Sequence, residues 1–466
     1  MAEKTYTERQ REIPVYDSFD VIVVGAGLSG CCAAIAAGRQ GVKTLLIERT
    51  GLLGGVATGS MMASITNYFF TSDNRQIIKG IPDEIITKLV EAGVTSPYWR
   101  DKIVPQIPHN ADAIQVVMFN MMKDAGVRIL LHTYMSDAIV EDSVLKGLVF
   151  ENKTGRRAVY AKAVVDCTGD ADVAYMAGVP MRRSGKEAST VMFEMGNVNL
   201  QKTYEYYKAN PSDFDEDMDV AIAFSGFEKN WLERGIFHTP HGGGDKNALL
   251  RKAMEEGRFA KNKGMAYNMD AFGLFGDRLT KRVLVNSNFF LVDSLNDVEQ
   301  LSMAELEGRE RCIELGQLLI EIMPGFENSF ITRIATEIGV RYTGCIEGEY
   351  TLTCDDFYGI REFEDAVCFS PGMEILPKGG LSTTDKIFGV PYRIFLPKNV
   401  DNLLIGSSKS VSAERGVITK CLRGQANTML FGETTGTAAA IIVKDGKTTK
   451  TADVNKIKAA MTAANA

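Results

Sequence analysis

Residues 20 to 60, DVIVVGAGLSGCCAAIAAGRQGVKTLLIERTGLLGGVATGS, constrain this chain more than any other stretch, because they read as one complete β-α-β unit. Residues 21 to 24 are apolar and β-branched, suited to a strand buried on both faces. They run straight into Gly25-Ala26-Gly27-Leu28-Ser29-Gly30. In this G-x-G-x-x-G spacing the first glycine permits a tight strand-to-helix turn and the second leaves room for a pyrophosphate. The third lets the following helix lie close against the strand. Phosphates there would face the unpaired N–H groups of a helix N-terminus. Residues 31 to 38 are small and helix-compatible, Gly41 ends the helix, and residues 42 to 47 form a second strand. Glu48 closes it, 23 positions after Gly25. An acid at that point accepts hydrogen bonds from adenosine ribose hydroxyls, and its charge disfavours a 2′-phosphate. A dinucleotide with a plain adenosine ribose is expected.

Glu48-Arg49 leads within a few residues into Gly51-Leu52-Leu53-Gly54-Gly55. This arrangement resembles the FAD-dependent oxidoreductases of the glutathione-reductase structural type, in which a glycine pair after the ribose-binding acid lets the chain pass close to the cofactor. The resemblance implies FAD as the cofactor, held by Gly25, Ala26, Gly27, Ser29, Gly30, Glu48, Arg49, Gly54 and Gly55. It also implies an α/β fold: a Rossmann-like FAD-binding domain carrying an inserted α+β substrate or capping domain.

At 466 residues the chain suggests two or three domains with ample surface to bury. It is 45% hydrophobic and 24% charged, the balance of a soluble globular protein. A net charge of −7 argues against nucleic acid as the main partner, since that binding is driven by Lys and Arg neutralising phosphates. Eight cysteines, at 31, 32, 167, 312, 345, 354, 368 and 421, are scattered and lack the dense spacing of a secreted disulfide scaffold. The N-terminal stretch MAEKTYTERQREIPVYDSF has no apolar export segment, and no run approaches 18 apolar residues. A cytoplasmic enzyme, not a membrane protein, is expected. The resemblance extends distantly to the flavin-bearing chain of heterodisulfide reductase, a group that can carry iron–sulfur clusters. No C-x-x-C pair is present here, and Cys345 and Cys354 are too far apart for a cluster-binding run. Cys31-Cys32 sits where small residues pack a helix on its strand, so packing is favoured over redox function.

Along the chain, residues 1 to 16 read as a polar arm. Residues 61 to 71, MMASITNYFFT, carry the chain away from the cofactor, and their methionine and aromatic side chains either face the flavin or pack the core. Helices are expected at 82 to 92 and 111 to 123, joined by a proline-containing loop that includes His109. From residue 127 the alternation becomes strand-like, with a turn at Lys153-Thr154-Gly155, which suggests a small antiparallel layer. It ends in Val164-Val165-Asp166-Cys167-Thr168-Gly169-Asp170. Thr168, Gly169 and Asp170 resemble the family's second cofactor motif, where small residues let the chain approach the pyrophosphate and adenosine.

Beyond residue 180 the dinucleotide-binding signals stop. Strands are expected at 192 to 198 and 282 to 292, helices at 200 to 208 and 214 to 224, a glycine-rich loop at 238 to 244, and a long amphipathic helix at 298 to 322 ended by Pro324-Gly325. Residues 331 to 366 resemble a stretch of the same family. Gly339, Arg341, Ile346, Gly348, Tyr350, Leu352, Thr353 and Asp356 keep its frame, while Thr343-Gly344-Cys345 stands where members usually carry Ser-Arg-Arg. That departure puts the family's substrate in doubt for this chain. The chain returns to the cofactor with residues 389 to 393 and then Asn402-Leu403-Leu404-Ile405-Gly406, which resembles the last flavin motif, with Ser407-Ser408-Lys409 in place of the usual Gly-Arg. Residues 423 to 443 resemble the closing helix, whose Gly432, Gly436 and following alanines allow close packing. Its start, Gln425, Ala426 and Asn427, is expected to face the flavin N1 and C2 carbonyl, where helix-end positive charge favours the anionic reduced flavin. The partition is then residues 1–179 for the first part of the FAD-binding domain, 180–384 for the substrate or capping domain, and 385–466 for the second part with the C-terminal helix.

The function this implies is hydride transfer between flavin N5 and a small organic substrate, the protein supplying position and proton transfer. One G-x-G-x-x-G unit is visible, without the second unit and cysteine pair of a disulfide reductase. Electrons therefore pass through the substrate, NAD(P)H, a separate electron-transfer protein or oxygen, and a homo-oligomer stays open. The alternatives are an accessory flavin-binding subunit of an electron-transfer complex and an RNA-modifying flavoprotein. His238 and His241, two of four histidines, are candidates for proton transfer on their glycine-rich loop. Their H-x-x-H spacing lacks the further ligands of a metal site, so none is expected. Arg341 and Arg393 are candidates to orient a carboxylate or carbonyl, with structural salt bridging as the alternative.

Overall fold

A computed structural model of the chain describes residues 5–101, 104, 106–183, 187–214, 220–239, 247–260, 263–267, 272–287, 289–292, 297–375 and 381–464. The glycine turn lies at the centre of a seven-stranded sheet. Strand β1 (Val15–Val24) continues through the turn into helix α1 (Leu28–Arg39), and strand β2 (Thr44–Ile47) returns parallel to β1 with Val21 opposite Thr44. A short hairpin-like pair follows, β3 (Ser64–Thr66) against β4 (Gln106–Pro108), with helix α2 (Gly80–Glu91) between them in sequence and α3 (Ala111–Asp124) after them. Strands β5 (Arg128–Leu130), β6 (Tyr134–Glu141), β7 (Val144–Asn152) and β8 (Gly155–Asp166) complete the sheet in the order β5-β2-β1-β8-β7-β6.

Strand β8 does two jobs. Its first half pairs antiparallel with β7, and its last three residues pair parallel with the late strand Leu403–Ile405. The antiparallel ribbon is thus continuous with the parallel sheet. Strand β1 begins at Val15, earlier than its apolar run suggests, because residues 15 to 19 pair with Ala158 to Ala161 of β8. Val21, Ile22 and Val23 are fully buried, as a strand covered on both faces requires.

Helix α1 is buried from Leu28 to Ala37, since the closing helix Gln425–Lys444 covers its outer side. These two helices touch backbone to backbone. A Cβ on Gly432 would come 2.0 Å from the Ser29 carbonyl oxygen, and one on Gly436 would come 2.1 Å from that of Ala33. Glycines four apart share one helix face, so one stripe makes both contacts.

A second core collects apolar residues from Val191 to Ile338, together with Met61. Two antiparallel sheets form it. One contains Glu187–Thr190, Phe289–Val292, Ala266–Tyr267 and Gly339–Val340; the other contains Phe193–Gly196, Arg282–Asn286, Gly273–Asp277, Ile236–His238 and Phe330–Ile334. The apolar run at 282 to 292 is therefore two strands in different sheets, split where polar Asn286 and Ser287 interrupt it. The long helix Val298–Ile322 packs across both sheets, with Asp297 accepting from the Gln300 amide at its start. Tyr342, Ile346, Phe357, Phe388 and Phe395 belong to the first core, so packing changes over near residue 340.

Candidate functional site

The turn after β1 is built to receive an anion. Gly25 adopts φ +92°, and a Cβ there would come 2.5 Å from the Cys167 carbonyl oxygen, so only glycine lets the first motif lie on the second. Gly30 is equally crowded, 1.7 Å from the Gly25 carbonyl oxygen. Gly27 differs, because a Cβ there would meet nothing within 4 Å. It is the N-cap of α1, no side chain caps that helix, and its first turn holds no acid. The unpaired N–H groups at the helix start thus face open space, as pyrophosphate binding needs.

Glu48 stands beside this turn. Its Oε2 accepts from the Ala26 amide at 2.7 Å, and its Oε1 accepts from the Thr50 amide and hydroxyl at 2.8 and 2.9 Å. Both carboxylate oxygens are fixed, with lone pairs left for a ribose diol. Arg49 pairs with Glu337 at 2.9 Å, and Glu48, Asp170 and Asp172 also act on its charge. The glycine pair closes over the turn: the Gly54 amide donates to the Ala26 carbonyl at 2.7 Å, and a Cβ on Gly55 would come 3.0 Å from Gly27 Cα. Gly54 and Gly55 have φ of +99° and +53°.

The later motifs meet at the same place. Buried Asp166 accepts from the Thr168 amide and hydroxyl and from the Ala174 amide, which sets the Thr168-Gly169-Asp170 turn. Burial pushes its carboxyl above the usual carboxylate range. The Ser29 hydroxyl donates to the Gly406 carbonyl at 2.5 Å, tying α1 to the end of strand Leu403–Ile405. Asp170 takes hydrogen bonds from Lys409 at 3.0 Å and the Thr343 hydroxyl at 2.7 Å, and Lys409 also donates to the Val340 carbonyl. Both stretches that depart from the family pattern, at 343 and at 409, therefore converge on one carboxylate.

The closing helix starts at Gly424, again without a side-chain cap and without an acid in its first turn. Gln425 Nε2 donates to the Met62 carbonyl at 2.9 Å and Asn427 Nδ2 to the Cys421 carbonyl at 3.0 Å. Gln425 Oε1 and Asn427 Oδ1 are buried acceptors with no donor among the described residues. Ala426 is fully buried between them. The Tyr68 ring lies over Gly424, 2.9 Å from where a Cβ would stand, and Arg423 precedes it.

Three of the four residues singled out for catalysis are described, and each lies on its own segment of the chain. His238 ends strand Ile236–His238, where its ring stacks on Phe275 at 4.8 Å. His241 lies outside the described residues. Arg341 stacks over Phe289 at 4.7 Å. Arg393 grips Asp365 with Nε at 2.9 Å and Nη2 at 3.2 Å, the salt-bridged alternative. The sequence marks the 61 to 71 segment and the start of the closing helix, but it does not single out Tyr68 and Arg423. An aromatic in that segment and a cation next to a glycine N-cap are the available signals.

Across residues 20–461 the chain matches the family of FAD-dependent oxidoreductases. The chain belongs to that family. Among curated proteins, the oxidoreductase is 25% identical over 198 residues to digeranylgeranylglycerophospholipid reductase 2 of Methanothermobacter thermautotrophicus, covering 41% of this chain and 50% of that protein. It is 31% identical over 220 residues to a tRNA uridine 5-carboxymethylaminomethyl modification enzyme of Lactobacillus acidophilus, covering 41% and 30% of the two chains. It thus spans half or less of these relatives. A geranylgeranyl bacteriochlorophyll reductase-like protein of Thermoplasma acidophilum aligns in structure over 96% of this chain and 84% of its own, with 13% identity and a TM-score of 0.46.

The cofactor of the oxidoreductase is FAD, and the residues present fit it. The open space at Gly27, the fixed carboxylate of Glu48 and the orphaned acceptors at 425 and 427 suit a pyrophosphate, a ribose diol and an N–H donor respectively. The cysteines near the motifs serve packing: Cys167 lies under the first glycine turn and Cys31 Sγ donates to the Ala26 carbonyl. Seven of the eight are buried and Cys354 is half-buried, and burial pushes the Cys31 thiol up to about 12. Among the described residues no group of three or more His, Cys, Asp or Glu could hold a metal, and no helix is long and apolar enough to cross a membrane.

Proposed function

We propose that the protein catalyses hydride transfer between bound FAD and a small organic substrate held where the second core meets the start of the closing helix. FAD supplies the hydride chemistry when bound. The observation that carries this reading is the split role of two adjacent residues: Met61 is buried in the second core, while the Met62 carbonyl accepts from Gln425. The 61 to 68 segment therefore couples the insert to the cofactor-facing helix end. Around it the Thr336 amide and hydroxyl donate to the Gly59 carbonyl at 2.9 and 3.0 Å, which fixes the insert over the glycine pair. Tyr68 and Arg423 supply a phenol and a cation at the same place, groups that can orient a polar substrate and hold a proton on it.

The glutathione-reductase type is part of the proposal, supported by the order of the three cofactor motifs. So is a separate electron partner, either NAD(P)H or a protein, because the buried cysteines offer no dithiol relay. A nucleic-acid substrate is not proposed, given the net charge of −7. The test is anaerobic reduction of the purified holoprotein, then reoxidation by enoates, ketones and quinones while flavin absorbance is followed. Turnover with an organic acceptor is expected. Reoxidation by oxygen or a protein acceptor alone would defeat the reading and favour an accessory electron-transfer role.

A further inference from the structure

The basic residues on the segments that meet at this site are mostly spoken for. Arg49 pairs with Glu337, Lys409 with Asp170, and Arg415 with Glu187. Arg423 is different. Its Nε donates to the Thr419 carbonyl at 2.6 Å, and its two Nη groups have no carboxylate or carbonyl partner among the described residues. The side chain is open to solvent, yet the protein packed around it pulls its guanidinium below the usual arginine range. Nearby Glu187 opposes that effect only from a distance, being engaged by Arg415.

Tyr68 packs its half-buried ring on Gly424, the residue after this cation, within reach of the Arg423 charge. No partner of its hydroxyl is found among the described residues. Burial raises the phenol above its ordinary range and the Arg423 charge lowers it again, so it stays protonated at neutral pH and can donate. A planar guanidinium edge with two Nη groups matches the two oxygens of a carboxylate, and one phenol adds a third donor at its rim. A phosphate, with more charge and more oxygens, would be left under-served by one cation.

We propose, on the basis of the function proposed above, that the substrate of this site carries a carboxylate, gripped by the Arg423 guanidinium with the Tyr68 hydroxyl as its additional donor. Arg423 and Tyr68 then select the substrate class.

The test uses the holoprotein with acetate, succinate and benzoate as probes and acetamide, succinamide and benzamide as their neutral matches. At least one acid should perturb the flavin absorbance saturably, while its amide does not. Arg423→Gln should weaken that binding by about 10- to 100-fold, Arg423→Lys should recover part of it, and Tyr68→Phe should weaken it by about 10-fold, all at wild-type flavin content. The proposal is overturned if none of the acids binds, if amides bind as tightly, or if Arg423→Gln binds the acids like the wild type. Loss of FAD from Arg423→Lys and Tyr68→Phe alike would also overturn it, by assigning the pair to the cofactor. Failure of the proposed function looks different: no organic acceptor, charged or neutral, reoxidises the flavin.

Discussion

Gly432 of the closing helix lies directly on the carbonyl of Ser29, with no room for a methyl group: a Cβ would come 2.0 Å from that oxygen. Ser29 in turn donates to the Gly406 carbonyl, so one contact holds α1, the closing helix and the last strand in register. Gly432→Ala must push the two helices apart. It should lower stability by about 1–3 kcal/mol, the usual cost of overpacking, and reduce FAD occupancy as well, because both uncapped helix starts move. Denaturant melts and the ratio of flavin to protein absorbance check both; an unchanged midpoint with full occupancy would show that the helices are not this close.

Gly27→Val gives the opposite signature. A Cβ there meets no protein atom within 4 Å, and the backbone has φ −63°, which any residue adopts. The apoprotein should melt like the wild type while FAD binding is lost, since the valine fills the space that the pyrophosphate needs. Reconstitution with FAD after mild removal of the cofactor tests it. Full occupancy in this variant would mean that the open space at the turn is not the phosphate site.

How much of the molecule is legible in the sequence follows from the range of the contacts. The glycine turn, Glu48 and the helix Val298–Ile322 are set by spacing within a few tens of residues, and the structure forms them where the pattern puts them. The apolar run at 282 to 292 does not hold as a single strand because its division between two sheets depends on which partners Phe193–Gly196 and Glu187–Thr190 present. The same holds for the site. Asp170, Thr343 and Lys409 meet from three distant segments, and the Tyr68 ring finds Gly424 from the other end of the chain. Arg393 is a candidate in the sequence only because Asp365, its partner, does not announce itself there.

Glu433 sits 3% exposed on the closing helix, where the Ile81 amide at the start of α2 donates to it at 3.2 Å. Burial pushes its carboxyl up to about 7. A carboxyl whose folded value is raised holds its proton after the unfolded chain has lost it. Its contribution is therefore complete below the ordinary 4.5 and disappears as pH rises toward 7. The window corresponds to a loss on the order of 3 kcal/mol. Glu433→Gln should abolish it, so the stability difference between variant and wild type should grow in the variant's favour from pH 4.5 to 7. A pH-independent difference in denaturant midpoints would show that the carboxyl titrates normally.

His109 works against Glu433 over nearly the same window. It is 7% exposed, its ring nitrogens have no well-formed hydrogen bond among the described residues, and burial pulls its imidazole down to about 4, partly offset by the backbone of Ile107 and Ala57. Between about 4 and the ordinary 6.5 the unfolded chain takes up a proton that the native imidazole refuses. The unfolded state binds more protons there, so stability is lost as pH falls, again on the order of 3 kcal/mol. In the wild type these two slopes oppose each other, beside that of half-buried Asp172, whose carboxyl is likewise pushed up to about 7. Relative to the wild type, His109→Leu should therefore tilt the profile toward stability declining as pH rises, and Glu433→Gln should tilt it toward stability climbing with pH. The double variant should be flat with respect to both groups, so the four proteins melted from pH 4 to 7.5, about the span of the two values, form a closed set. Single variants whose pH profiles run parallel to the wild type would show that neither buried group titrates as its surroundings require.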